Sequence, residues 1–144
     1  MEESLSLIAS IKKSFELKEV DIRTYSPLTL AYIGDAIYDL IIRTIVVEKG
    51  NTSANKLHHQ TIKYVSAPAQ AQLVESILDQ LTEEELAVYK RGRNAKSYTM
   101  AKNATVNEYK KATGLEALVG YLYLCDRMER VLELTKIGLH NVDM

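Results

Sequence analysis

Residues 27–48 read Pro27-Leu28-Thr29-Leu30-Ala31-Tyr32-Ile33-Gly34-Asp35-Ala36-Ile37-Tyr38-Asp39-Leu40-Ile41-Ile42-Arg43-Thr44-Ile45-Val46-Val47-Glu48. Ser26 followed by Pro27 has the form of a helix N-cap with proline at the first helical position. Gly50-Asn51 is a stop signal. Before its end the stretch carries three charges, Asp35, Asp39 and Arg43. They stand at i, i+4 and i+8, which puts them on one stripe of a helix. The other faces carry Leu28, Leu30, Ile33, Ile37, Leu40, Ile41 and Ile45, the pattern of a helix buried nearly all round. The same three charges argue against a bilayer span, although the stretch is long enough for one.

Working outward, nearly every segment has helical periodicity. Leu5, Ile8, Ile11 and Phe15 space a helix over 3–17, and Lys18 to Ser26 is a polar connection. Further helices are predicted over 53–63 and 67–79. Thr82-Glu83-Glu84-Glu85 is a capping box that starts another, ending near Arg91-Gly92. Residues 93–104 are polar and aperiodic, so a loop is expected. A long helix follows over 106–124, then a last one capped by Asp126 and ending near Gly138. No strand pattern competes, so the fold class is all-α, in one domain spanning 1–144.

The segment from Ala112 to Cys125 contains a single charge, Glu116, flanked by Ala112, Ala117 and Gly120. Small residues let a neighbouring helix approach, and a carboxylate among such neighbours needs compensation. Two solutions are open from patterning alone. One is internal ion pairing, the simpler account of Asp39 with Arg43. The other is convergence of Asp35 and Glu116 on a divalent cation, for which carboxylate oxygens suit Mg²⁺ or Mn²⁺.

The net charge of −1 gives no hint of a polyanionic partner, but its distribution does. Lys90, Arg91, Arg93, Lys96, Lys102, Lys110 and Lys111 face one acid, Glu108, so residues 90–111 carry +6 and the remainder −7. A basic segment on an acidic body is a footprint for nucleic acid, with a solvated loop as the plainer alternative. The lone Cys125 lies in an apolar run and reads as a packed thiol; it permits no internal disulfide. Glu2 and Glu3 stand where a signal peptide would carry Lys or Arg, so a cytoplasmic location is expected.

Leu30-Ala31-Tyr32-Ile33-Gly34-Asp35-Ala36 resembles the ribonuclease III signature, Leu-Glu-Phe-Leu-Gly-Asp-Ser/Ala. Ala112-Thr113-Gly114-Leu115-Glu116-Ala117-Leu118-Val119-Gly120 resembles that family's second acidic block, Ala-Asp-x-x-Glu-Ala-Leu-Ile-Gly. Order and separation match as well. The resemblance runs from about Tyr25 to Leu139 and leaves the first twenty or so residues outside. No double-stranded RNA-binding domain is expected after the last helix, which is similar to the compact Mini branch of the family. Two of the family's usual four acids are replaced, by Ala31 and Thr113, again as in that branch.

The resemblance implies a ribonuclease III endonuclease-domain fold and metal-dependent hydrolysis of double-stranded RNA, with Mg²⁺ as cofactor and Mn²⁺ as a substitute. It implies catalytic and metal-ligating roles for Asp35 and Glu116, an outer-shell or ion-paired Asp39, and a packing role for Thr113. It implies a homodimer and, as substrate, the terminal stem of precursor 23S ribosomal RNA. Without a separate binding domain, the basic segment must hold the duplex. Arg91, Gly92, Arg93, Asn94 and Lys96 are the candidate RNA contacts, with Ser97 and Lys102 behind them. Gly92 is read as allowing close approach of a phosphate. His58 and His59 are adjacent and point apart on a helix, so a surface position is expected. The rival reading is a catalytically silent RNA-binding or ribosome-associated module, motivated by Ala31 and Thr113.

Overall fold

The computed structural model describes residues 4–96 and 104–142. Among the described residues there are seven α-helices and no strand. They are α1 (Leu7–Ser14), α2 (Pro27–Glu48), α3 (Ala54–Val65), α4 (Ala67–Glu75), α5 (Glu83–Asn94), α6 (Val106–Leu124) and α7 (Met128–Asn141), with short 3₁₀ turns at Ile22–Thr24 and Leu78–Gln80. The all-α expectation holds. None of these helices is long and apolar enough to cross a membrane.

The apolar α6 is the axis of the molecule. Helices α2, α4 and α5 pack directly on it, α7 lies against α6 and α4, and α3 bridges α2 and α4. Ile42, Val74, Ile77 and Leu122 are fully buried in this core, each worth roughly 1.5–3 kcal/mol of transfer free energy. Backbones meet where the sequence has glycine. A Cβ on Gly34 would lie 1.7 Å from the Glu116 carbonyl oxygen, and one on Gly120 would lie 1.9 Å from that of Leu30. Helices α2 and α6 therefore cross main chain to main chain.

Local signals account for most boundaries. Ser26 accepts from the Thr29 N–H to cap α2, with Pro27 at its first position. Thr82 and Glu85 form the expected capping box of α5. Glu85 is fully buried, and Arg130 of α7 grips it with two 2.8 Å bonds, from Nε and Nη2. The guanidinium holds that carboxyl below the usual range and ties the start of α5 to α7.

The structure corrects four expectations. The first helix is shorter than 3–17, beginning after its Ser6 cap and ending at Ser14. Helix α5 continues through Gly92 to Asn94, so residues 93 and 94 are helical and not loop. Gly92 is an approach point: a Cβ there would meet Ala117 Cβ at 2.7 Å. Likewise α7 runs past Gly138, which packs on Leu73. Asp126 does not cap α7; it adopts the left-handed conformation (φ 58°) just beyond α6, and α7 begins without a side-chain cap.

Helix α2 is also not buried all round. Leu28, Tyr32, Ala36 and Leu40, spaced by four, form an exposed apolar stripe, with Tyr32 83% exposed.

Candidate active site

The crossing of α2 and α6 sets the geometry. Gly34 abuts the main chain of Glu116, so the next residue on α2, Asp35, stands beside the Glu116 side chain. Both line one open depression of about 810 Å³, together with Asp39, Tyr109 and Thr113. The Asp35 carboxyl is close enough to that of Glu116 to act on its ionisation. Neither makes an ion pair among the described residues. The internal-pairing alternative holds for Asp39 alone, whose Oδ2 accepts from Arg43 Nε at 2.6 Å.

Glu116 is half-buried and Asp35 exposed. Burial, then the neighbouring Asp35 carboxyl and its like charge, push the Glu116 carboxyl up to about 9. In the protein alone, Glu116 thus keeps its proton at neutral pH. A cation at this point would remove the reason for keeping it. The donor set is two carboxylate oxygens facing an open depression, which suits a hard divalent ion that retains water. No cluster of three or more His, Cys, Asp or Glu side chains occurs among the described residues. Two protein carboxylates are therefore the available set, consistent with Ala31 and Thr113 replacing acids. The Thr113 hydroxyl donates to the Tyr109 carbonyl at 3.0 Å, so it is used within α6.

The basic end of α5 lies beside the same turn of α6. At Gly92 a Cβ would lie 3.2 Å from the Thr113 carbonyl, one turn before Glu116. Gly92 is buried against α6 and cannot offer its backbone to a phosphate; its part is to bring α5 close. Arg91, Asn94 and Lys96 are exposed. Arg93 lies over the Tyr89 ring, 5.6 Å from its centroid, and its Nε donates to Asn94 Oδ1 at 3.3 Å. Lys111 pairs with Glu75 at 2.6 Å and is drawn out of the basic group. Ser97 and Lys102 lie outside the described residues. His58 and His59 are exposed on α3, their rings tilted and 6.1 Å apart.

One residue lining the site escaped the sequence reading. Tyr109 precedes Thr113 and Glu116 by four and seven positions, a helical face that could have been traced back from the glutamate.

A family model for the ribonuclease III domain matches residues 28–127, a span that contains both carboxylates and the basic end of α5.

The chain belongs to the ribonuclease III family.

Its relatives place it in the Mini-ribonuclease 3 branch. It is 48% identical over 126 residues to the Mini-ribonuclease 3 of Clostridium tetani, covering 87% of this chain and 83% of that one. It is 53% identical over 116 residues to that of Enterococcus faecalis, covering 79% and 88%. With that of Thermoanaerobacter it shares 43% over 138 residues, covering 96% and 97%. A crystal structure of a Fusobacterium nucleatum protein superposes with a TM-score of 0.76 at 36% identity, covering 85% of this chain and 98% of that one. The chain is an endoribonuclease of the ribonuclease III type, a family that acts on double-stranded RNA.

Proposed function

We propose that this ribonuclease III enzyme cleaves double-stranded RNA in a metal-dependent reaction at Asp35 and Glu116, and that its substrate is the terminal stem of precursor 23S ribosomal RNA. The observation that carries the site is the meeting of these two carboxyl groups in one depression with no ion pair to either among the described residues. Asp35 and Glu116 would hold a Mg²⁺ ion, with Mn²⁺ as a substitute. When bound, such an ion lowers the pKa of water and offsets charge on the phosphate oxygens. Asp35, exposed on α2, takes the direct ligand role. Glu116 would join it as a carboxylate. Arg91, Arg93, Asn94 and Lys96 hold the sugar–phosphate backbone of an A-form duplex, which is read through charge and shape. The exposed stripe Leu28, Tyr32, Ala36 and Leu40 beside Asp35 supports a homodimer whose two sites flank one groove, each cutting one strand; sedimentation at twice the chain mass is the expected result.

The test is cleavage of duplex RNA over a range of Mg²⁺ and Mn²⁺, with precursor 23S stem beside an unrelated duplex. The wild-type protein is expected to cut and Asp35→Asn to be inactive while still binding RNA. Equal inactivity of both proteins would remove the catalytic reading and favour a silent binding module. Preference for the precursor stem decides the substrate. Arg91→Ala with Arg93→Ala is expected to weaken duplex binding on the order of tenfold and to lower the slope of log affinity against log salt by about 2. An unchanged slope would place the RNA elsewhere.

A further inference from the structure

We infer that the groove between α2 and α7 is a docking site for an acidic amphipathic helix of a partner protein. It shares no residue with the Asp35–Glu116 depression and does not depend on the reaction proposed above.

Two helical rows form its walls. Ile41, Ile45 and Lys49 stand at i, i+4 and i+8 on α2, and Leu132, Lys136 and His140 repeat that spacing on α7. Such rows are the ridges by which helices pack, and a third helix can lay its own ridge between two of them. The space between the rows is an open groove of about 490 Å³, lined also by the buried Thr135 and Leu139. Leu132 stands 47% exposed at its side. The Thr135 hydroxyl donates to the Val131 carbonyl at 2.7 Å, so it is satisfied within α7. The lining is therefore apolar apart from three basic groups.

Those groups set the charge of the occupant. No Asp or Glu lines the groove. Lys49, Lys136 and His140 make no ion pair among the described residues. The chain outside residues 90–111 carries −7, so unpaired basic groups gathered round one apolar groove run against its charge balance. Helix ends explain part of this. Lys49 is the C-cap of α2 and His140 lies in the last turn of α7, where a cation is favourable in itself. Lys136 lies more than a turn before the end of α7 and gains nothing of that kind. Duplex RNA fits poorly, because its phosphates would rest on aliphatic side chains, and no residue of α5 lines the groove. An amphipathic helix suits both features. Its apolar anchors at i, i+3 or i+4 and i+7 fill the groove, and glutamates beside them meet the basic groups, which steers the encounter and selects the partner.

The probe is a synthetic helical peptide of about four turns, with leucine on one face and glutamate along both sides of it. A charge-reversed twin carries lysine in place of glutamate. Each is titrated into isotopically labelled protein at low salt, and the amide resonances are followed. Expected is saturable movement confined to α2 from Ile41 onward and to α7 around Leu132 and Leu139. The glutamate peptide should bind roughly tenfold more tightly than its twin, and high salt should narrow that gap. Lys49→Glu with Lys136→Glu, both exposed positions, should reverse the preference and leave duplex cleavage at the wild-type rate. Leu132→Asp should weaken both peptides. The comparison of the two peptides on wild type stands even where a variant fails to fold. Equal binding of the two, movement elsewhere only, or no movement overturns the inference. So does duplex RNA that moves the same resonances, which would give the groove to RNA. A dimer in sedimentation that Leu132→Asp splits also overturns it, by giving the groove to a second copy of this chain.

Discussion

Glu116→Gln is expected to abolish cleavage and, in the metal-free protein, to raise stability at neutral and alkaline pH. On the proposed shared-ion role of Glu116, losing it would forfeit several kcal/mol of transition-state stabilisation, or roughly 10³-fold in kcat. The stability gain follows from linkage. The folded-state value of Glu116 is about 9, above the 4.5 of the ordinary group. Between these two values the folded chain holds a proton that the unfolded chain has released. The wild-type protein is thus fully favoured below about pH 4.5, loses stability as pH rises, and has lost this contribution once pH passes the folded value. Glutamine has no proton to release, so the variant escapes that loss. The carboxyl is only half-buried and coupled to Asp35, so the gain at pH 8 is on the order of 2–3 kcal/mol, or roughly 5–10 °C in melting temperature. The measurement is a pair of melting curves against pH, without metal and then with Mn²⁺. The wild-type deficit should shrink on adding the ion, because Glu116 is then compensated. A variant less stable than wild type at pH 8 would mean that this carboxylate serves the fold and not the site.

Gly34→Ala is expected to be the most damaging single methyl in the chain. Its Cβ would lie 1.7 Å from the Glu116 carbonyl oxygen and 2.7 Å from the Gly120 amide nitrogen. Both are main-chain atoms of a central helix, so neither can turn aside as a side chain would. Helices α2 and α6 must part, opening the core along their contact. Overpacking costs typically about 1–3 kcal/mol where side chains can adjust; with backbone on both sides the upper end or beyond applies, a drop of roughly 10 °C in melting temperature. Activity should fall further than stability, because the displacement separates Asp35 from Glu116. Gly138→Ala is the control. Its Cβ would meet the buried Leu73 side chain at 2.5 Å, a side chain and not main chain, so a smaller loss is expected. Calorimetry of the two variants, with cleavage assayed well below their melting points, separates the cases. A Gly34→Ala protein that melts and cuts like wild type would show that α2 and α6 do not meet as described.

Much of the fold was legible because its signals are local. Ser26-Pro27, the Thr82–Glu85 capping box and the apolar runs of α2 and α6 each specify an element within a few residues. The glycines were misread where they act at long range. Gly92 and Gly138 look like helix stops along the chain, yet each lies inside the last turn of its helix, pressed against another helix. The exposed stripe of α2 was invisible for a related reason: an apolar residue facing outward reads the same in sequence as one facing the core. At the site, the motifs named Asp35 and Glu116, and the helical spacing of Asp39 and Arg43 gave their ion pair. The Tyr89–Arg93 stack, four residues apart on α5, could also have been read directly.

The main-chain contact of Gly34 with Glu116 also bears on how this enzyme fails when warmed. Many enzymes carry their reactive groups on loops that loosen before the body melts. Here the distance between the two acids is spanned by abutting backbones at the centre of the molecule. Such a caliper has no soft joint, so inactivation by heat should coincide with cooperative collapse of the whole structure.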